Sequence, residues 1–129
     1  MRVTLSLLLA ASLVAVPAIA DPPDIHVDVP KNAKNMEVNV VEHDIAPGQK
    51  VGWHIHHGIE ISYVLAGAIN LQIKGGPIRH VSQGEWFEVE RDTPHRASND
   101  GTEMARLLIT YLRDKAGPVA IPVPPPAIR

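Results

Sequence analysis

Glycine and proline punctuate this chain too closely for helices. From Pro47 to Gly101 they recur at Gly52, Gly58, Gly67, Gly75, Gly84 and Pro94, and every uninterrupted interval is shorter than ten residues. A helix is marginal at that length, and proline ends one outright. The intervals alternate apolar and polar residues at period two, the pattern of half-buried strands. Strands are predicted over 36–43, 51–56, 60–65, 68–73, 78–81, 85–89, 95–97 and 103–112, with turns at Ala46-Pro47-Gly48 and Lys74-Gly75-Gly76-Pro77. Ala66-Gly67 reads as the turn of a hairpin joining 60–65 to 68–73. Many short strands at regular spacing predict an all-β sandwich or barrel.

The two ends of the chain differ from this middle. Met1-Arg2 followed by an apolar run and Ala18-Ile19-Ala20 has the form of a secretory signal peptide, cut before Asp21. The apolar run is shorter than the ~20 residues a membrane span needs, so no stable membrane anchor is expected. This leader predicts a periplasmic or secreted protein. Residues 21–34, with Pro22, Pro23 and Pro30, read as an extended arm, and 35–116 as the folded domain. Residues 117–129, GPVAIPVPPPAIR, read as an extended, polyproline-like tail that packs Val119, Ile121 and Val123 on its own domain or on a neighbour.

Composition removes several functions. There is no cysteine, so disulfide scaffolds, thiolate zinc sites and thiol nucleophiles are excluded. Basic and acidic residues number 12 and 14 with no basic stripe, and the aromatic residues are few (Trp53, Tyr63, Trp86, Phe87, Tyr111). Neither a phosphate-tracking surface nor a base-stacking platform is expected, and hence no nucleic-acid partner.

Histidine placement carries the chemistry. His54 and His56 stand at i and i+2 of a predicted strand, so both imidazoles leave one face roughly 7 Å apart. Glu60 follows a turn at His57-Gly58 that can return a carboxylate to that face. His95 is placed to add a third imidazole from an opposed strand. Three nitrogens and one oxygen suit a first-row divalent ion. Trp53 and Ile55 alternate with the two histidines and face outward, where the tryptophan needs cover from a partner copy or from the tail; a homodimer is expected. His57 reads as a rim residue, and His26, His43 and His80 as surface residues. Glu85, Glu88, Glu90 and Asp92 read as a solvated turn.

The spacing of GQKVGWHIHHGIEISYVLAG, from Gly48 through His54, His56 and Glu60 to Gly67, resembles the first signature of the cupin superfamily at every fixed position. The second signature is similar to 84–99: Gly84, His95 and Asn99 match, while Glu90 and Asp92 replace its proline and second glycine. Asp92 can still serve a turn, because aspartate tolerates left-handed backbone. The resemblance, to small single-domain bacterial cupins, implies an antiparallel double-stranded β-helix, a jelly-roll barrel. It also implies one divalent transition metal (zinc, copper, manganese, iron or nickel) on His54, His56, Glu60 and His95. Folding after export favours the tighter binders, zinc or copper. Such a site implies a small-molecule ligand or substrate and dioxygenase-like or isomerase/decarboxylase-like chemistry. A non-enzymatic binder of small molecules or metal is the alternative, since the fold does not fix the reaction.

Overall fold

The computed structural model describes residues 35–127; the leader, the arm and His26 lie outside them. The described residues form nine strands: β1 (Met36–Ile45), β2 (Lys50–Ile55), β3 (Gly58–Ala66), β4 (Ala68–Ile73), β5 (Ile78–Ser82), β6 (Trp86–Val89), β7 (His95–Ser98), β8 (Ala105–Asp114) and β9 (Ile121–Pro122). Eight of them fall on the predicted strands, with shifted ends. Among the described residues no helix is long and apolar enough to cross a membrane.

The strands build two antiparallel sheets, ordered β1-β8-β3-β6 and β5-β4-β7-β2-β9. This corrects the expected jelly-roll barrel. Among the described residues the sheets are open, and no ladder joins one to the other. A barrel needs that last ladder, because closure is what removes the edges.

The hairpin expected at Gly67 is also corrected. β3 pairs with β6 and β8, whereas β4 pairs with β5 and β7. Gly67 is the corner at which the chain leaves one sheet for the other. Its φ is +69°, and a Cβ there would lie 2.6 Å from the Met104 carbonyl at the approach to β8. Only glycine fits a left-handed corner packed so closely on backbone. The turn at Gly75-Gly76 does close a hairpin, between β4 and β5.

Side chains of the two inner faces form the core: Ile45, Val64, Phe87, Val89, Leu107 and Ile109 from the first sheet, and Ile69, Leu71 and Val81 from the second. In β2 the alternation is interrupted. Val51 pairs with Ala97 and His54 with His95, so three steps on β2 answer two on β7. This bulge at Gly52-Trp53 lets Val51 and His54 face the same side.

The tail is less detached than its prolines imply. Ile121 and Pro122 pair with Ile55 and His54 on the outer edge of β2, and the Val123 N–H donates to the Trp53 carbonyl at 3.0 Å. Proline is tolerated there because an edge strand needs donors on one side only. Trp53 has its cover within the chain: the Arg96 guanidinium lies 5.2 Å from its ring, and Pro125 and Pro126 line the same groove.

Candidate metal centre

Three strands and one linking residue bring the predicted residues together. His54 comes from β2, His56 from the residue after it, Glu60 from β3 and His95 from β7. Ligand atoms of all four lie within 4.8 Å of one another, and His56, Glu60 and His95 are buried. The imidazole centroids are 4.1 Å apart for His54 and His95, 4.9 Å for His54 and His56, and 5.0 Å for His56 and His95.

Each ring is anchored through Nδ1. His54 donates to the Gly52 carbonyl at 2.8 Å, His56 to the Val119 carbonyl at 2.5 Å, and His95 to the Thr93 carbonyl at 2.9 Å. A carbonyl only accepts, so the neutral rings carry their proton on Nδ1 and leave Nε2 as a bare lone pair. The Nε2 atoms of His56 and His95 are buried without a hydrogen-bond partner. Glu60 Oε2 lies 2.8 and 3.3 Å from them, in contact but not in hydrogen-bond geometry. Lone pairs turned on one another in a buried space fit a cation and little else. The donor set also fits a first-row divalent ion, so these residues could hold one.

The electrostatics favour the ligand forms. Burial opposes the Glu60 charge, but the imidazoles of His56 and His95 and the Ser62 hydroxyl outweigh it and hold the carboxyl below its ordinary range. Burial lowers the His54 pKa and keeps that ring neutral. Burial also disfavours a charged His56, yet the Glu60 carboxylate and the Val119 carbonyl raise its pKa above 6.5. A proton on His56 Nε2 therefore competes with any ion. Apparent metal affinity is expected to rise with pH through neutrality and to level off above the raised His56 value. Competition titrations against a chelator at a series of pH values check this, and an affinity flat from acid to neutral pH would contradict it.

Two residues of the site were not singled out from sequence. Ser62, two positions beyond Glu60 on the same face, donates to Glu60 Oε1 at 2.6 Å and leaves Oε2 toward the histidines. Tyr111 stands opposite Glu60 in the β3–β8 register, its ring 4.8 Å from that of His56. Burial and the Glu60 charge push its phenol pKa well above 10, so it stays a protonated donor. Period two marks Ser62, but the register that brings Tyr111 across is invisible in one strand.

A cavity of about 150 Å3 adjoins the cluster, walled by apolar side chains including Val51, Leu71, Phe87 and Ile109. His43, expected on the surface, is exposed but also lines this cavity from β1. His80 is exposed and bonded to Asn70 instead.

His57 points elsewhere. Its Nδ1 meets Asp92 Oδ1 at 2.5 Å, with both side chains about half exposed. Asp92 has φ +57°, the left-handed backbone expected where the signature has glycine, and its N–H donates to the His56 carbonyl at 2.9 Å. Arg91 braces the same loop, reaching the His57 carbonyl and both carboxylate oxygens of Asp114. Asn99 closes the second signature from a buried position, donating to the Ile45 and Glu103 carbonyls. Glu85, Glu88 and Glu90 are exposed, as expected of a solvated turn. His57→Ala is expected to leave metal affinity unchanged in a chelator competition, and a loss of tenfold or more would contradict this placement.

The sequence matches the Cupin domain family over residues 41–111, more than half of the chain. No curated protein matches it. Among solved structures, a conserved protein with a double-stranded β-helix domain from Klebsiella pneumoniae is 26% identical, with a TM-score of 0.58 over 65% of this chain and 73% of that one. Oxalate oxidase is 28% identical, with a TM-score of 0.60 over 67% of this chain and 46% of its own. A DMSP lyase from Ruegeria pomeroyi is 20% identical, with a TM-score of 0.58 over 68% and 43%, a likeness of fold alone. The chain thus spans less than half the length of the oxidase and of the lyase. With both signatures folded around one buried cluster and the family matched across them, the chain belongs to the cupin-domain family.

Proposed function

We propose that this cupin is a metal-dependent enzyme acting on a small organic acid held beside His54, His56, Glu60 and His95. The observation that carries the reading is the set of three imidazoles with Nδ1 committed to carbonyls, two of which, His56 and His95, turn Nε2 on one oxygen of Glu60. A first-row divalent ion there supplies Lewis-acid polarisation of a carboxylate, enolate or phenolate and, if redox-active, oxidative chemistry.

The chain's own groups do the rest. Ser62 fixes one oxygen of Glu60 and keeps the other directed inward. The three carbonyl anchors hold the imidazole planes. Leu71, Phe87 and Ile109 exclude water, and Tyr111 offers a phenolic proton to a bound acid. The cavity holds roughly five waters' worth of liquid, room for a small acid at the metal site. The similarity to oxalate oxidase supports an acid of that size.

Dioxygenase-like oxidation of an electron-rich acid or phenol is the first chemistry proposed, and isomerase- or decarboxylase-like conversion the second. Metal-loaded protein, offered a panel of small acids and phenols, is expected to consume oxygen with one class, and Glu60→Gln to abolish this. Carbon dioxide release or isomer formation without oxygen uptake selects the second chemistry. Saturable binding with no turnover identifies a non-enzymatic binder and overturns the enzymatic reading.

The leader pattern at the start of the chain supports export to the periplasm or beyond. Zinc or copper is then the expected ion. Intact mass of the exported protein is expected to begin at Asp21, and a retained leader would contradict this.

A further inference from the structure

The three imidazole anchors are not alike. His54 and His95 each reach a carbonyl two residues earlier on their own segment, whereas His56 reaches one 63 residues away, in the proline-rich tail. His56 is also buried, at 3% exposure with the tail in place, so that carbonyl and not water satisfies its Nδ1 proton. The tail is held at this spot by contacts of its own. Ile121 and Pro122 pair along the edge of β2, beside His54 and Ile55, and Val123 donates to the Trp53 carbonyl. Between the anchor and the pairing lies Ala120, which lines the cavity.

We propose that residues 117–123 are a strap that positions His56. Its Val119 carbonyl selects the Nδ1–H tautomer and fixes the ring plane, so that Nε2 faces Glu60. Its pairing with β2 sets where that carbonyl stands, and Ala120 completes the cavity wall. The strap is a positioning segment that acts on the site only through His56 and the wall. The proposal rests on the metal-centre reading for its effect on ions, but its effect on the His56 tautomer is independent of any ion. The prolines suit the role. Pro118, Pro122, Pro124, Pro125 and Pro126 restrict the backbone around the anchor, so little conformational freedom is lost when it docks.

The test compares the full chain without its leader with the same chain ended after Ala116, and with Val123→Pro, which removes the donor to Trp53 but keeps the Val119 carbonyl. Nitrogen-15 NMR of the metal-free proteins reads the His56 tautomer directly. The full chain is expected to show a protected Nδ1–H on His56, the shortened chain to lose it, and Val123→Pro to weaken its protection. Cobalt(II) titration reads the ion. Affinity is expected to fall about 10–100-fold on removal of the strap, with a changed visible spectrum and partial recovery on adding a peptide of residues 117–129. Circular dichroism separates this from unfolding; if the shortened chain does not fold, Val123→Pro and its NMR signal decide. An unchanged His56 tautomer in the variants, or unchanged cobalt affinity and spectrum, overturns the strap. A full chain that binds no cobalt overturns the metal reading instead, and the tautomer measurement still decides the strap.

Discussion

Replacing His95 by alanine is expected to strip the protein of most of its metal. His95 is the Cα partner of His54 across the β2–β7 ladder and is buried at 2% exposure. It faces His54 and Glu60 from an element that holds neither, so its loss removes a donor and opens the shell on that side. The two remaining histidines and Glu60 all lie within seven residues of one another on one run of chain. Loss of a group that merely orients a ligand costs about 10–100-fold in affinity, so loss of a ligand itself is expected to cost about 100-fold or more. Elemental analysis after dialysis, backed by a chelator competition, reads the effect, with His57→Ala as the control that keeps its ion. Full metal in the His95→Ala protein would show that the assignment is wrong.

Gly58→Ala is expected to have the largest effect on folding. A Cβ at Gly58 would run into the Leu112 carbonyl oxygen and lie 2.5 Å from the Arg113 Cα and 2.6 Å from its Cβ. Two of those atoms are backbone of β8, the strand that β3 pairs with from its first residue, so no rotamer relieves the clash. Forcing β3 away from β8 is expected to cost about 3 kcal/mol. For a domain of this size that lowers Tm by roughly 10–20 °C. Glu60 is two residues on and opposite Tyr111 in the same ladder, so metal affinity is expected to fall with it. Gly52→Ala is the contrast: nothing lies within 4 Å of its Cβ position, and a change within roughly 0.5 kcal/mol is expected. Thermal melts of both variants check the pair, and equal Tm values would contradict the packing argument.

The strands and the cluster were legible because both are written in local spacing. Gly/Pro intervals and period-two alternation place eight strands, and fixed distances from Gly48 to Gly67 and from Gly84 to Asn99 mark the residues that converge. Pairing was not legible. A glycine that starts a hairpin and one that turns a corner between sheets look alike, and only the ladders that β3 and β4 make with other strands separate them. Sheet closure depends on the same non-local ladders, so the expected barrel gave way to two open sheets. The bulge at Gly52-Trp53 shifts the parity of β2 without any residue that demands it. The His56 anchor is a backbone carbonyl, which has no side chain to read, and the prolines around it argued against the pairing that holds it there. Of the two covers expected for Trp53, a partner copy or the tail, the tail shares its groove, together with Arg96.

The central claim is that three imidazoles and one carboxylate of this chain form a single buried metal site. Titration of metal-stripped protein with cobalt(II), followed by visible absorption, tests it most directly. Saturation is expected at one ion per chain, with absorption bands that are lost in His95→Ala and kept in His57→Ala. No saturation at one equivalent, or the same titration in His95→Ala, would contradict the site.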